Sequence, residues 1–385
     1  MKKPNNNLFI RFSVTFCKFL VGSVFVFSGF VKAVDPTGTQ IKFEEYLRFF
    51  NMDYWFSANL LLIAASLLAG LEFLLGIYML LGVYRKSTTL FMLLIMACFT
   101  PLTLYLAILS PVSDCGCFGD ALVLTNWQTF LKNIFLLIAI VYLFIYKEGI
   151  IQFVNPVNQW LVTVTATLLI TLFMLHNINH LPIFDFRAYK KGVNLREMVM
   201  ERGDIRFVDL SVWDDTDEDF TENILNYNGY TFLLIFSFLE DASQENLDFV
   251  DDLYYYSTQH GYRFFAVTSS GRGMIEEWRS KTGAEYDFLF ADEVVLKTMI
   301  RSNPGLILLN NGIIVDKWSH KDIPAESELS GSIENIYIDK TGLDNLKYRV
   351  LKVFLIFLTP FLLIIIFDRV FMKRRESCRI RDGEK

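Results

Sequence analysis

Six long apolar segments constrain this chain more than any other feature. The hydrocarbon core of a bilayer is about 30 Å thick, and a helix needs about 20 apolar residues to cross it. The segments are Phe9–Val34, Ala58–Val83, Thr89–Leu109, Trp127–Tyr146, Val157–Leu175 and Val350–Met372. Hydrophobic residues make up 53% of the chain, and phenylalanine alone occurs 37 times, which is more than a soluble protein buries easily. The sequence therefore predicts an α-helical polytopic bundle in a lipid bilayer.

The distribution of lysine and arginine predicts the orientation of these spans. Cationic short loops stay on the cytoplasmic side, and the clusters at Lys2–Lys3, Arg85–Lys86, Lys147 and 373–375 all fall on one side of a six-span arrangement. Lys42 and Arg48, in the first outward loop, are the opposing signal. We expect a bacterial inner-membrane protein with both termini cytoplasmic and residues 176–349 periplasmic. The alternative for the first span is a cleaved secretory signal, although Lys18 interrupts its apolar core.

The outward segment is strongly acidic. Between Asp185 and Lys347 there are 30 acidic and 16 basic residues, a net charge of −14 against −6 for the whole chain. Phosphate binding requires a basic surface, so nucleic acid is excluded as a partner of this segment.

Strand and helix signals alternate within the outward segment from Tyr230 onward, which is typical of a β-α-β domain. Tyr230–Phe238 and Tyr262–Thr268 read as strands, and Asp241 or Ser243 is expected to cap the intervening helix. Pro304 then precedes two apolar runs joined by an Asn-Gly turn, which predicts a β-hairpin. The order of these elements over 195–320 resembles the thioredoxin superfamily, particularly its membrane-anchored TlpA-like branch. That resemblance implies a cis-proline at Pro304.

This sequence differs from thioredoxin-like proteins at the position of their reactive thiols. Thioredoxin-like proteins place cysteine at the first strand-to-helix junction, where the helix N-terminus lowers its pKa. Here the junction has no cysteine, and none occurs from Phe118 to Ser377. We therefore expect this domain to bind, dock or shield a partner. The alternative is an ordinary α/β domain with a turn proline.

One motif in the bundle can carry thiol chemistry. Cys115, Gly116 and Cys117 lie in the outward loop between the third and fourth spans and are followed by Phe118 and Gly119. A disulfide across one glycine would close a small, strained ring, and strained accessible disulfides are the labile ones. Cys17 and Cys98 lie within spans, where thiols behave as small apolar groups.

At these residues the sequence resembles the MauE branch of the DoxX-like membrane proteins, which carry a Cys-x-Cys-Phe-Gly element. The resemblance extends over 8–175 and includes Phe27–Lys32, Asp35–Pro36, Phe43–Tyr46 and Glu72 with Gly76. It implies a role in methylamine-utilisation-type maturation, in which the membrane protein and a thioredoxin-like partner act on disulfides of an exported enzyme. No residue points to methylamine itself.

Glu72 and Lys32 are further site candidates. An acidic residue within a span is costly and is a functional candidate by default. Glu72 is expected either to move protons linked to thiol or quinone redox, or to pair with Lys32 or Lys18 as a structural contact. His176 and His180 share the outward side with Cys115 and Cys117, but their spacing matches no known zinc or copper site, and we predict no metal. Quinone is the one cofactor that the redox hypothesis allows.

These observations divide the chain into a bundle of five helices over 1–176, a thioredoxin-like domain lacking a dithiol over 177–349, and a last span with a basic tail over 350–385. The leading hypothesis is a thiol–disulfide oxidoreductase component, in which Cys115 and Cys117 exchange with a periplasmic dithiol protein or exported client. The alternative is a non-enzymatic scaffold in which the cysteine loop is structural. A small-solute transporter is a third reading, without the paired breaks in the spans typical of such proteins.

Overall fold

The computed structural model describes residues 8–109, 116–200, 210–325, 333 and 346–383. It contains six helices long and apolar enough to cross a membrane, which confirms the predicted number of spans. The six helices are α1 (Leu8–Val34), α3 (Ala58–Leu81), α4 (Arg85–Leu109), α5 (Asn126–Ile145), α6 (Gln159–Asn179) and α12 (Leu346–Gly383). The chain forms two compact units, one of Met1–Leu175 with Asn345–Lys385 and the other of His176–Asp344.

Helices α1 and α3 pack backbone against backbone in the first unit. A Cβ added at Gly29 would lie 2.3 Å from the amide nitrogen of Phe73, and one at Gly76 would lie 2.5 Å from that of Val26. Small residues at such crossings let helices approach closely in a membrane. This close packing places the last turns of α1 beside the middle of α3.

The first outward loop contains a helix of its own, α2 (Pro36–Phe49). Asp35 caps it by accepting a hydrogen bond from the Gly38 amide at 2.8 Å, and Pro36 occupies its first position. Both residues favour a helix start. The helix therefore follows α1 after a single residue.

Large apolar side chains cover the outer faces of the spans. On α3 the exposed residues recur at helical spacing, at Leu60, Ile63, Leu67 and Leu71. Such a face is what contact with lipid requires. Asp368 of α12 is instead buried, and it accepts hydrogen bonds from the Asn155 amide at 3.0 Å and from Asn158 Nδ2 at 2.6 Å.

The second unit is an α/β domain built on a mixed six-stranded sheet. Its strands are β1 (Val212–Trp213), β2 (Tyr230–Phe236), β3 (Arg263–Thr268), β4 (Asp287–Ala291), β5 (Gly305–Asn310) and β6 (Ile313–Ser319). The order is β1-β4-β3-β2-β5-β6, with β2, β3 and β4 parallel and the others antiparallel to their neighbours. Strand β2 is buried along its whole length, as its continuous apolar run predicts.

Helices cover both faces of this sheet. They are α7 (Leu195–Met200), α8 (Thr221–Leu225), α9 (Leu247–Gln259), α10 (Arg272–Thr282) and α11 (Glu293–Met299). Apolar residues form one cluster around α9 and α10 and a second around α7, α8 and α11. Asp292 caps α11, and the predicted hairpin of β5 and β6 is present.

The predicted start of α9 is wrong. The helix begins at Leu247 after Asn246, whose φ is 63°, and neither Asp241 nor Ser243 caps it. The Ser243 amide instead donates to the Asn303 carbonyl at 2.9 Å. A tertiary contact thus overrides a local capping signal. Strands β1 and β4 and the short helices α7 and α8 carry no strong sequence pattern and were not predicted.

Candidate functional site

A buried ion pair joins α1 to α3 in the first unit. Lys32 Nζ lies 2.6 Å from Glu72 Oε2, and the two side chains are 7% and 6% exposed. Lys32 is in the last turn of α1, and Glu72 faces it because of the glycine packing of the two helices. The pairing that the sequence left open therefore involves Lys32.

Lys18 has a different partner. Its ammonium donates to the Ile151 carbonyl at 2.7 Å and lies 4.3 Å from the centre of the Phe153 ring. The carbonyl and the ring face accommodate the positive charge. Lys18 therefore holds the loop before α6, away from Glu72.

The ion pair also holds the cysteine loop. Lys32 Nζ donates to Ser28 Oγ at 2.8 Å and to the Cys117 carbonyl at 2.9 Å. Together with Glu72, these contacts use all three N–H groups of the ammonium. The Ser28 hydroxyl lies 2.7 Å from Glu72 Oε2 and 2.9 Å from the Cys117 carbonyl, and it donates its one proton to either. Four groups thus form one buried polar network.

The cysteine loop makes a tight turn. Gly116 has φ of 63°, in the region that favours glycine, and its carbonyl accepts a hydrogen bond from the Gly119 amide at 3.0 Å. Cys117 is partly exposed and disulfide-bonded. Cys115 lies outside the described residues. Cys17 and Cys98 are free thiols.

A cavity of about 350 Å³ opens beside this network. Apolar side chains from α1 to α5 form most of its wall, and Lys32, Glu72, Cys117 and Lys132 line it as well. Phe118 directly follows Cys117, and Lys132 Nζ lies 4.2 Å from the centre of its ring. Within the part of the chain that the structure describes, no hydrogen bond or ion pair reaches this ammonium. The site therefore combines a disulfide-bonded loop, a neutralised ion pair and two further lysines, Lys132 and Lys42, of which Lys42 is paired with Glu45.

Residues 10–146 match the family described as Methylamine utilisation protein MauE. This segment is a MauE-family domain. The chain is thus a membrane protein whose first four spans, with α2 and the cysteine loop, carry the family match. No curated protein matches the chain.

The MauE-family domain contains the whole site, because Ser28, Lys32, Glu72, Cys117 and Lys132 all lie within it. The structure brings together three residues singled out in the sequence, namely Lys32, Glu72 and Cys117. Ser28 and Lys132 were missed. Ser28 precedes Lys32 by one helical turn, so their spacing was a signal available in the sequence; nothing marked Lys132.

Pro304 lies in the α/β unit, and the Asn303–Pro304 peptide bond is cis. Asn303 holds the segment that follows β2, because its Nδ2 donates to the Phe238 carbonyl at 2.7 Å. Ser302 donates to the Pro304 carbonyl at 2.5 Å and contacts His320 Nδ1 at 2.9 Å. Burial lowers the pKa of His320, with a smaller opposing effect from Glu245. Burial thus favours the neutral form of this ring.

The α/β unit also contains a buried charge cluster that sequence reasoning missed. Asp185 accepts two hydrogen bonds from the Arg187 guanidinium, at 2.7 and 3.0 Å, one from the Arg187 amide at 3.2 Å and one from Lys317 Nζ at 2.9 Å. Burial would raise the pKa of Asp185, but the charges and hydrogen bonds of Arg187 and Lys317 outweigh it and hold that pKa well below its usual range. The cluster fastens the segment before α7 to β6.

His176, in the last turn of α6, and His180, just after it, do not form a metal cluster in the described part of the chain. The His176 and His180 rings lie 4.9 Å apart, and His180 Nδ1 lies 2.8 Å from Asp322 Oδ1. No group of three or more histidine, cysteine or acidic residues suited to a metal occurs among the described residues.

Proposed function

We propose that this protein is a membrane thiol–disulfide redox protein whose working pair is Cys115 and Cys117. The observation that carries this proposal is the disulfide-bonded Cys117, held by its carbonyl over a buried ion pair and still partly exposed. An exposed disulfide in a short loop can be attacked by an incoming thiolate. Its partner would be a periplasmic dithiol protein or an exported client.

The assignment of Cys115 as the disulfide partner rests on elimination. Cys17 and Cys98 are free, so Cys115 and Cys378 remain. Phe357 packs against Phe30 and Phe73, near the Lys32–Glu72 pair, and α12 then runs toward Asp368 and the loop before α6. Cys378 lies still further along this helix. Cys115 is two residues from Cys117.

We also propose that the α/β unit is a thioredoxin-like domain without its own dithiol. Support comes from the parallel β2, β3 and β4, the antiparallel hairpin and the cis-proline facing the segment after β2. At that segment, Leu239 donates to Ser270 Oγ at 3.0 Å, and Ser270 donates to Glu240 Oε2 at 2.6 Å. The junction after β2 thus carries the Glu240 carboxylate, bonded to a hydroxyl from the segment after β3, and it has no thiol. The unit would recruit a thiol-bearing partner for the bundle.

A scaffold role is the second candidate, because the hydrogen bonds of Lys32 and Ser28 to the Cys117 carbonyl hold the loop in one position, as a purely structural contact would. In that case the disulfide would only fix the loop between α4 and α5. The two functions differ in whether the disulfide changes state.

Alkylation mass shifts in intact membranes test the proposal. The protein would carry Cys17→Ser, Cys98→Ser and Cys378→Ser, so that only the loop cysteines react. We expect the pair to cycle between disulfide and dithiol with mild reductant, and Cys115→Ser or Cys117→Ser to trap a mixed disulfide with another protein. A pair that stays in one state under all conditions, with nothing trapped, would establish the scaffold function.

A further inference from the structure

The cavity beside the cysteine loop has the features of a ligand site. Its volume of about 350 Å³ falls in the range of small-molecule sites, and its wall is mainly apolar, with Lys32, Glu72, Cys117 and Lys132 among the polar residues that line it. Phe25, Phe43, Met96, Phe99, Leu106 and Leu136 form part of the apolar wall. Because five helices contribute, the cavity lies within the bundle. An apolar molecule would bind there.

The polar residues of the wall select for an oxygen acceptor. The Lys32 ammonium makes three hydrogen bonds, and the one to the Glu72 carboxylate balances its charge. Lys132 differs, because its ammonium lies over the face of Phe118 and has no hydrogen bond or ion pair within the described parts of the chain. An ammonium that lines an apolar cavity is stabilised by a hydrogen bond to an electronegative atom. The ligand is therefore apolar with an accepting oxygen at one end.

From these contacts we infer that the cavity binds the head group of a membrane quinone, which accepts the electrons of the Cys115–Cys117 dithiol. A quinone is a flat apolar ring with carbonyl oxygens that Lys132 can bind. Cys117 and Gly116 form part of the cavity wall, so the ligand would contact the redox loop. This inference rests on the proposed function, and it names the electron acceptor of that same site. Membrane quinones are known oxidants of exported dithiols.

The reaction balances without another reactant. The dithiol loses two protons and two electrons as two S–H bonds break and one S–S bond forms. The quinone gains both electrons and both protons, which form two O–H bonds of the quinol. Each disulfide formed therefore yields one quinol.

The test uses the full-length protein in phosphatidylcholine nanodiscs free of quinone. A short-chain ubiquinone is the binding probe, and an azido derivative of it labels the site on illumination. We expect labelled peptides from the cavity wall, and unlabelled quinone should prevent the labelling. After reduction and removal of the reductant, anaerobic addition of the quinone should form about one quinol per chain while the loop thiols disappear.

Two lysine variants give a matched comparison. Lys132→Gln should weaken quinone binding about tenfold or more, because hydrogen bonds from charged groups contribute strongly. Lys147 Nζ lies 4.3 Å from the centre of the Phe144 ring, a similar contact outside the cavity wall. Lys147→Gln should leave quinone binding unchanged. Equal weakening by both variants would overturn the inference.

The remaining outcomes separate this inference from the proposed function. If oleate protects the wall from labelling and quinone does not, the occupant is a lipid carboxylate and the inference is wrong. If loop-cysteine variants trap a client but quinone neither binds nor oxidises the thiols, the inference fails and the redox function stands. If quinone binds but the thiols never change state, both fail.

Discussion

The Lys32 ammonium donates a hydrogen bond to the Cys117 carbonyl at 2.9 Å, from a helix that precedes the cysteine loop by more than eighty residues in sequence. The same ammonium pairs with Glu72, so one lysine joins α1, α3 and the loop. Any change at this pair is therefore expected to alter both the stability of the bundle and the position of the loop.

Replacing one partner of the Lys32–Glu72 pair should destabilise the protein more than replacing both partners. Lys32→Met leaves the Glu72 carboxylate buried and uncompensated, which is expected to lower the free energy of unfolding by about 3–5 kcal/mol. The double variant Lys32→Met with Glu72→Leu should recover much of that loss. Unfolding of the purified protein with increasing SDS measures the difference.

The exposed pair of Lys86 and Glu148 serves as the control for this cycle. Its atoms lie 3.4 Å apart, and its side chains are 70% and 55% exposed. Lys86→Met should change stability by about 1 kcal/mol or less. Equal effects of Lys32→Met and Lys86→Met would show that burial of the Lys32–Glu72 pair has no energetic consequence.

Gly29→Ala should separate α1 from α3. The new Cβ would meet the Phe73 amide nitrogen at 2.3 Å and the Ala69 carbonyl at 2.7 Å, and backbone atoms cannot move aside alone. Gly70→Ala is the matched control, since its nearest neighbour is Met174 Cε at 3.8 Å. We expect a clear fall in the SDS midpoint for Gly29→Ala only. The prediction is wrong if both variants unfold alike.

Asp185→Asn should destabilise the α/β unit in a pH-dependent way. The pKa of Asp185 lies below its usual 3.8 in the folded state. The stabilisation that the Asp185 carboxylate provides is therefore complete above about pH 5 and is lost progressively as the pH falls toward the lower pKa of the folded state. At pH 7 the variant leaves Arg187 and Lys317 without their carboxylate, which is expected to cost about 3–5 kcal/mol.

Hydrogen exchange of β6 and the segment before α7 checks the loss at neutral pH, and thermal unfolding from pH 7 to 3 checks its pH dependence. The difference between wild type and Asp185→Asn should shrink below pH 4. Asp217→Asn removes an exposed contact with Arg272 and should have almost no effect at any pH. A gap that is constant with pH would contradict the assignment of charge to Asp185.

Reporter fusions test the orientation expected from the basic loops. Alkaline phosphatase fused after Leu175 should be active, because that point is expected to face the periplasm. The same enzyme fused after Lys385 should be inactive, whereas a fluorescent protein at that position should fluoresce in the cytoplasm. Activity of the phosphatase at both positions would contradict an even number of spans.

Sequence alone was sufficient for the larger features of the fold. The six spans follow from apolar length, and the strands β2, β3, β5 and β6 follow from apolar runs and an Asn-Gly turn, because these signals are local and repeated over many residues. Strand β4 was missed, since its five residues lie between helices that have stronger patterns. The start of α9 was misplaced because the Ser243 amide bonds to Asn303 sixty residues away.

For the candidate site, the sequence by itself determined that Cys115 and Cys117 flank one glycine, that Glu72 lies within a span and that Lys32 ends another. Only the tertiary structure decided that Lys32, rather than Lys18, pairs with Glu72, that Ser28 and the Cys117 carbonyl join them, and that Lys132 faces the same cavity. The physical reason is that helix periodicity fixes which side chains share a face. Which faces meet depends on close approaches such as that of Gly29 to Phe73, between residues far apart in the chain.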